Sequence, residues 1–517
     1  MSSLTLGDVA DLSKRFPELG AVDPLSFMKN CRDLRDKGII PASGHDDTSA
    51  PLRLLPRLAA VLSRVNKVDA HHIDTLWDAL RDEIWRMPTQ RQSHRRTVAM
   101  FETTGWEKGI TYISHYPPSW LCTNPECDYE LELRDHTASY SVTFTIDDGV
   151  QYSKVVNLTC PRCRCNYRRN FYADDRSKAR TYYKGVPDYI QVGENHYVEK
   201  RLAEIWTNDM LVSQTSATNL ADLYHETYAV KRDEMENDAS KFSIPFRTML
   251  TADDVWNAIL VLALLRDRRP HNRPLAVAHA GEGWPDFADA LRERNERFQL
   301  FGQPELRHCC TGCMCCHDGY NNEGQHIRWK TQVALTECAQ GVGKVMTMRP
   351  CGIVLGCSTL IPGADDATNA IMHVKNVSSL FGALKPEFWM YTGHEQARSL
   401  TEGDEWWDSV DICCPNGCMS NTFCELRTDD GKDRFETRGT GMKVTQWLDG
   451  YREIMDGMSA ARCNFFLDEM VRLRNANMLL SLRETQCYPS YSPLGDKSSV
   501  RVVTEGELII PPSGFSG

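Results

Sequence analysis

The sequence predicts a multidomain protein of mixed α+β and α/β class, with a helical N-terminal region, a zinc-ribbon β domain and a later α/β core. Three observations predict it. Apolar residues recur at three- and four-residue intervals near the start of the chain. Two close cysteine pairs then flank an Asp-Gly turn signal. Beyond residue 300, segments with strand and helix patterns alternate.

The chain has 517 residues, too many for one ordinary core, so about two to four domains are expected. With 41% hydrophobic and 25% charged residues it has a globular composition, and its formal charge of −11 argues against a surface that coats nucleic acid throughout. No basic segment followed by an apolar run opens the sequence, so no export signal is expected. No stretch approaches the ~18 apolar residues that would span a bilayer, so no membrane partner is expected. An intracellular, nuclear location is the expectation. In a reducing compartment, twenty cysteines point to metal ligands or buried thiols before disulfides.

Residues 1–104 form the helical region. In "HHIDTLWDALRDEIWRM", Ile73, Leu76, Trp77 and Leu80 share a face, Asp74, Asp78 and Arg81 turn outward, and Asp69 stands at the N-cap. Residues 105–230 form the cysteine-cluster domain with its following helix. There "SYSVTFTIDDGVQYSKVVNLTC" alternates β-branched and polar residues around Asp147-Asp148-Gly149, which predicts a hairpin.

Cys122 and Cys127 precede that hairpin, and Cys160 and Cys163 follow it. Zinc takes four ligands in a tetrahedron, and thiolates at about 2.3 Å suit it. Each pair supplies two ligands from one tight turn, and the hairpin brings the turns together. Four cysteines leave no position for water, so such a zinc would be structural. The alternative is a set of buried thiols. Cys165 is a fifth sulfur, a bystander or a substitute ligand.

The segment "RCRCNYRRNFYADDRSKARTYYKG" carries Arg162, Arg164, Arg168, Arg169, Arg176, Lys178, Arg180 and Lys184, with Tyr167, Phe171, Tyr172, Tyr182 and Tyr183 between them. Cations pair with phosphates and aromatic faces stack on unpaired bases, so this is the candidate contact for DNA or RNA. The alternative is a solvated face whose aromatics pack inward. Asp174 and Asp175 dilute the patch.

Residues 231–300 read as a helical connector. Before it, the helix that follows the cysteine cluster, "HYVEKRLAEIWTNDMLVSQ", sets Val198, Leu202, Ile205 and Trp206 on one stripe; within the connector, "LTADDVWNAILVLALLRD" opens with Thr251 as N-cap and Asp253 and Asp254 in its first turn. "WPDFADALRERNERFQLFG" is a third helix. Residues 301–485 hold the α/β core. "KTQVALTEC", "MRPCGIVLGCSTLI" and "PEFWMYT" read as strands. "DATNAIMHVKNVSSLFGAL" reads as a helix with Ile371, Val374, Ser378 and Phe381 along one side, and two C-terminal helices follow. Residues 486–517, rich in Ser, Pro and Gly, read as a flexible tail.

The phrases "GVPDYIQVGENHYVE", "TSATNLADLY", "DDVWNAILVLALLRD", "RNERFQLFGQPELRHCCTGC", "RPCGIVLGCSTL" and "QWLDGYREIMDGMSAARCNFFLDEMVRLRN" resemble the cysteine-cluster proteins associated with KDZ (Kyakuja-Dileera-Zisupton) transposases. The resemblance spans roughly residues 105 to 480. It implies a zinc-chelating domain joined to a transposase-like RNase H-type core, in which three acids hold two Mg²⁺ ions for phosphodiester attack. At the acid positions this chain departs from the family: "ALTECAQGVG" places Glu337, "FWMYTGHEQ" leaves Thr392, and "GTGMKVTQWLDGY" gives Met442. Two losses leave too little negative charge for a two-metal site, since hard cations need anionic oxygens. Under another alignment Asp318, Asp365, Asp411 or Glu469 would serve. Of the neighbours Asp468 and Glu469, at least one is expected to be solvated.

A second cluster, "RHCCTGCMCCHDG", offers His308, Cys309, Cys310, Cys313, Cys315, Cys316 and His317, with Cys310 and Cys313 the favoured ligands. The family continues here into another cysteine-rich insert that this chain lacks. Cys413, Cys414, Cys418 and Cys424 are the candidate replacements, and reduced, partly exposed thiols are the alternative. The expectation is a zinc-binding, transposon-derived protein without catalytic activity that binds nucleic acid, with Mg²⁺ required only if the core is active. An active transposase or nuclease, and a protein-interaction scaffold, are the rival readings.

Overall fold

The computed structural model describes residues 14, 22–36, 40, 50–54, 56–88, 113–131, 133–174, 179–242, 248–278, 287–308, 310, 312–320, 325–415, 437–484 and 491–493. The chain is mixed helical and β, and it divides into two compact units. The first comprises Met1–Met210 and Thr215–Ala290, the second Leu211–Gln214 and Leu291–Gly517.

The first unit opens with helices α1 (Val22–Asp36), α2 (Pro56–Asn66) and α3 (Ala70–Arg86). They close a core of Phe27, Met28, Leu58, Leu62, Ile73, Trp77 and Ile84. The expected face of α3 is buried, and Ile84 extends it. Asp69 occupies the N-cap without a side-chain bond to the helix, a difference from the expected cap.

A sheet follows, formed by β1 (Ile113–His115), β2 (Arg134–Phe144), β3 (Val150–Thr159), β4 (Asn166–Tyr167), β5 (Phe171–Asp174), β6 (Ala179–Tyr182), β7 (Tyr189–Gln191), β8 (His196–Glu199) and β9 (Ala276–Ala278). Its order among the described residues is β7-β8-β2-β3-β4-β5-β6-β9, with β1 parallel to β3. The β2–β3 hairpin forms where Asp147-Asp148-Gly149 predicts it. Its ladder ends at Phe144 opposite Val150, and Gly149 has φ +68°, a left-handed conformation that suits glycine.

Helices α4 (Lys200–Ser213), α5 (Ala217–Thr227), α6 (Ala229–Phe242) and α7 (Ala252–Arg268) come next. Tyr224 of α5 reaches the hairpin loop, donating its hydroxyl to Thr145 O at 3.0 Å and accepting from Thr145 N at 3.1 Å. Thr251 and Asp254 form a reciprocal capping box on α7. The expected helix from His196 begins only at Lys200. Val198 is a strand residue instead, pairing with Phe144, because a partner strand satisfies its backbone before a helix can start. Ile205, expected on the buried stripe, is 38% exposed.

The second unit contains most of α8 (Ala288–Phe301) and the strands β10 (Met314–Tyr320), β11 (His326–Ala339), β12 (Lys344–Met348) and β13 (Val354–Thr359). Then come α9 (Asp366–Ser379), β14 (Phe388–Met390), α10 (His394–Thr401), β15 (Asp411–Cys413), α11 (Thr437–Asp449), α12 (Arg452–Met455), α13 (Ala460–Glu484) and β16 (Tyr491–Pro493). The C-terminal half of β11 lies between β12, antiparallel to it, and β14, parallel to it. β13 adds antiparallel to β12, and β15 adds parallel to β14, giving the order β13-β12-β11-β14-β15. The N-terminal half of β11 pairs with β10, which also holds β16.

The expected single strand "MRPCGIVLGCSTLI" is the last residue of β12, a turn and the whole of β13. Arg349 N donates to Ile353 O, and Gly352 adopts φ +91°. Helix α9 stops at Ser379, so Phe381 falls outside it and is 81% exposed. Below β13, Asn475 of α13 matches the strand edge, accepting from Val354 N at 3.0 Å and donating to Val354 O at 2.7 Å. Beyond residue 485, the expected tail lies outside the described residues except for β16.

Candidate metal centre

The loop between β1 and β2 carries Cys122 and Cys127, and the turn between β3 and β4 carries Cys160, Cys163 and Cys165. Each loop is a tight knuckle. In the first, Cys127 N donates to Asn124 O at 3.0 Å and Glu126 N to Asn124 Oδ1 at 3.1 Å. In the second, Arg164 N donates to Cys160 O and Cys160 N to Cys165 O, with Arg164 at φ +63°. Leu133 N bonds Trp120 O, which returns the first loop to the start of β2. The ladder aligns Arg134 with Thr159, so the knuckles meet at the same end of the hairpin.

The four sulfurs of Cys122, Cys127, Cys160 and Cys163 lie within 4.8 Å of one another. Cys122 and Cys163 are 3.7 Å apart, and Cys127 and Cys160 are 3.8 Å apart. A disulfide would need about 2.05 Å. A tetrahedron of Zn–S bonds of about 2.3 Å has edges of about 3.8 Å. The donor set therefore fits a borderline-soft divalent ion such as zinc. Cys165 is buried outside this set, and its sulfur accepts from Asn124 Nδ2 at 3.4 Å.

Tyr167 supports the cluster from β4. Its hydroxyl stands 3.0 Å from Cys122 Sγ and accepts from Asn124 N at 3.2 Å. Burial pushes the Cys122 thiol up to about 12, and the Tyr167 hydroxyl bond opposes that shift. Burial likewise raises Cys165 and Tyr167. A cation is what would hold such a cluster as thiolates. Nothing in the sequence pattern marked Tyr167 for this role.

Cys310 and Cys313 also come together, joined by His308 and by Cys351 from the turn between β12 and β13, all four ligand atoms within 4.8 Å. Mutual contacts among these groups lower the pKa of Cys310 and raise that of Cys313. The expected replacements do not join them. Cys413 is a β15 residue whose thiol donates to Asp411 O, and Cys414 is buried apart from the cluster. Cys418 and Cys424, Cys309, and the side chains of Cys315, Cys316 and His317 lie outside the described residues.

The basic stretch is split by the fold. Arg162 and Arg164 face solvent, Arg162 in an ion pair with Asp128 at 2.8 Å, and Lys184 is exposed. Arg168 and Arg169 are half-buried, Arg169 lying 5.3 Å over the Tyr189 ring. Arg180 is 6% exposed and lies 4.7 Å over Phe171, and burial lowers its pKa to about 10. Arg176 and Lys178 lie outside the described residues. Tyr167, Phe171 and Tyr182 are buried, and Tyr172 and Tyr183 are half-buried. The fold thus buries three of the five aromatics that stacking on bases would use, because burial of their apolar rings stabilises the sheet.

At the three acid positions the side chains are equally specific. Glu337 lies two residues before the end of β11, and burial raises its pKa to about 7. A Cβ on Gly441 of α11 would come within 2.6 Å of Glu337 Oε1. Thr392 is exposed just past β14, and Met442 of α11 is 53% exposed. Among the described residues no metal-sized cluster includes Glu337. The alternative acids have other work. Asp365 caps α9 through Thr368 N at 2.7 Å, and Asp411 begins β15. The Asp318 side chain lies outside the described residues. Glu469 is 3% exposed and bonded to Arg294 at 2.8 Å and Arg472 at 2.6 Å. Its neighbour Asp468 is raised to about 6 by burial, so the expected solvated acid is absent from this pair.

No helix among the described residues is long and apolar enough to cross a membrane. Residues 110–228 match the family model of the CxC5-like cysteine cluster associated with KDZ transposases. No curated protein and no solved structure matches the chain.

Proposed function

We propose that this is a transposon-derived protein whose cysteine-cluster domain binds one structural zinc through Cys122, Cys127, Cys160 and Cys163, and whose second unit is an RNase H-like core without nuclease activity. The carrying observation is the set of sulfur separations near 3.8 Å at the meeting of two knuckles. Four cysteine ligands close the coordination shell, so the metal holds the loops and activates no water.

The order β13-β12-β11-β14-β15, with only β12 running against the others, supports the RNase H-like reading. In that reading the acids belong at the ends of β11 and β14 and on a helix packed against them. Leu335 stands opposite Met390, and two residues further on come Glu337, still in β11, and Thr392, just past β14. One acid, whose pKa burial raises to about 7, cannot replace the several anionic oxygens that two Mg²⁺ ions need. Purified protein is expected to leave supercoiled DNA intact in Mg²⁺ or Mn²⁺. Nicking that Glu337→Gln abolishes would overturn the inactive reading.

Nucleic acid would be met through its phosphates, at Arg162, Arg164 and Lys184, without base stacking. Charge reversal at Arg162 and Arg164 should weaken binding and flatten its salt dependence in fluorescence anisotropy; unchanged binding would count against this surface. The inward aromatics favour a second reading, an interaction scaffold with no nucleic-acid role, which predicts no binding at low salt.

A further inference from the structure

We infer that His308, Cys310, Cys313 and Cys351 form a second zinc site, in the second unit and outside the segment that matches the cysteine-cluster family. Their ligand atoms all lie within 4.8 Å of one another. The Cys310 and Cys313 sulfurs are 3.6 Å apart, too far for a disulfide and close to the edge of a zinc–thiolate tetrahedron, about 3.8 Å.

The local backbone is built for such a site. Cys313 N donates to Cys310 O and Cys310 N donates to Cys313 Sγ, each at 3.1 Å, closing a knuckle around the first two sulfurs. A Cβ on Gly312 would lie 3.4 Å from Cys351 Cβ and 3.7 Å from Cys310 Sγ, so this residue packs directly against the turn that carries the third sulfur. Cys310 is 2% exposed and Cys313 is fully buried.

His308 points to a ligand independently of the sulfurs. Its ring brings a nitrogen into the cluster, while Nε2 is buried without a hydrogen-bond partner. Buried polar nitrogens are rarely left so. Three thiolates and one imidazole are a regular closed set for zinc, and soft thiolates disfavour Mg²⁺ or Ca²⁺.

The site ties chain segments far apart in sequence. His308 to Cys313 lead into β10, and Cys351 sits in the turn between β12 and β13. Gln303 and Gly356, each five residues from a ligand, line a cavity of about 510 Å³. A metal here would hold both of those walls. This inference does not rest on the ribbon reading, because the two donor sets share no residue and no unit.

Metal analysis of the purified full-length chain tests it. About two zinc per chain are expected, with both released when all thiols are titrated with a mercurial in the presence of a zinc indicator. Cys351→Ser should lower the content by one, and Cys127→Ser should lower it by one independently. The conservative His308→Cys substitution supplies a second readout that does not depend on how a serine variant folds. It should keep two metals and raise the sulfur-to-cobalt charge-transfer intensity of the Co²⁺ form by about one part in seven, as an eighth thiolate joins the shell. One zinc per chain that Cys127→Ser removes and Cys351→Ser leaves in place would overturn the proposal. So would two zinc in Cys351→Ser, or a cobalt spectrum unmoved by His308→Cys.

Discussion

Cys127 Sγ and Cys160 Sγ stand 3.8 Å apart, although a loop, a strand and a whole hairpin arm separate them along the chain. That distance turns two local knuckles into one site. Replacing Cys160 by serine should release the ribbon metal and destabilise the first unit by more than about 4 kcal/mol, the range reached when a structural metal is lost. Cys165→Ala should retain the metal, since that sulfur accepts from Asn124 and lies outside the set. Zinc content and urea unfolding of both variants check this. Loss of zinc in Cys165→Ala would mean the ligand set is misassigned.

Glu337 ties stability to pH. Its carboxyl titrates near 7 in the fold, against about 4.3 in an unfolded chain, so between those values the folded state keeps a proton that the unfolded state releases. Stability should therefore fall as pH rises from about 4 to 7 and level off above. Glu337→Gln removes that penalty, and at pH 8 it should stabilise the second unit by about 2 kcal/mol, with the gain shrinking toward pH 5. Denaturant curves of both proteins at several pH values measure it. A gain independent of pH would exclude a buried protonated carboxyl.

Arg294 and Glu469 form an ion pair whose side chains are 1% and 3% exposed. Arg294 is also sandwiched between Phe298 and Phe465, 4.4 and 4.6 Å from their ring centres. Glu469→Gln leaves the guanidinium charged in a buried site and should cost about 3 kcal/mol or more. The double change Arg294→Met with Glu469→Met should recover most of that loss. A double variant no better than the single one would mean that Arg294 acts through packing alone.

Gly149 closes the hairpin that brings the knuckles together. Its φ of +68° disfavours a side chain, and a Cβ there would stand 2.6 Å from Tyr228 Cδ1. Gly149→Ala should destabilise the first unit by about 2 kcal/mol and raise its rate of zinc loss to a chelator. Unchanged chelation kinetics would show that the turn does not govern metal retention.

Much of the ribbon was legible because its signals are local. Cysteine spacing, an Asp-Gly turn and alternating β-branched residues each act within a few positions. The capping box at Thr251 and the buried face of α3 were readable for the same reason. The second cluster was only half legible. Cys310 and Cys313 announce themselves by spacing, whereas Cys351 lies in an ordinary strand-to-strand turn, and no sequence pattern links it to His308.

The sequence by itself determined many of the elements and the chemistry available to them: soft ligands in pairs, scattered acids, and cations set among aromatics. Only the tertiary structure decided which of these meet. It sent Arg180 and three aromatics inward, made Glu469 a buried ion-pair partner, and brought Cys351 to Cys310. The physical reason is that ligand geometry and burial depend on contacts between distant segments, whereas residue order constrains the chain only over neighbouring turns and strands.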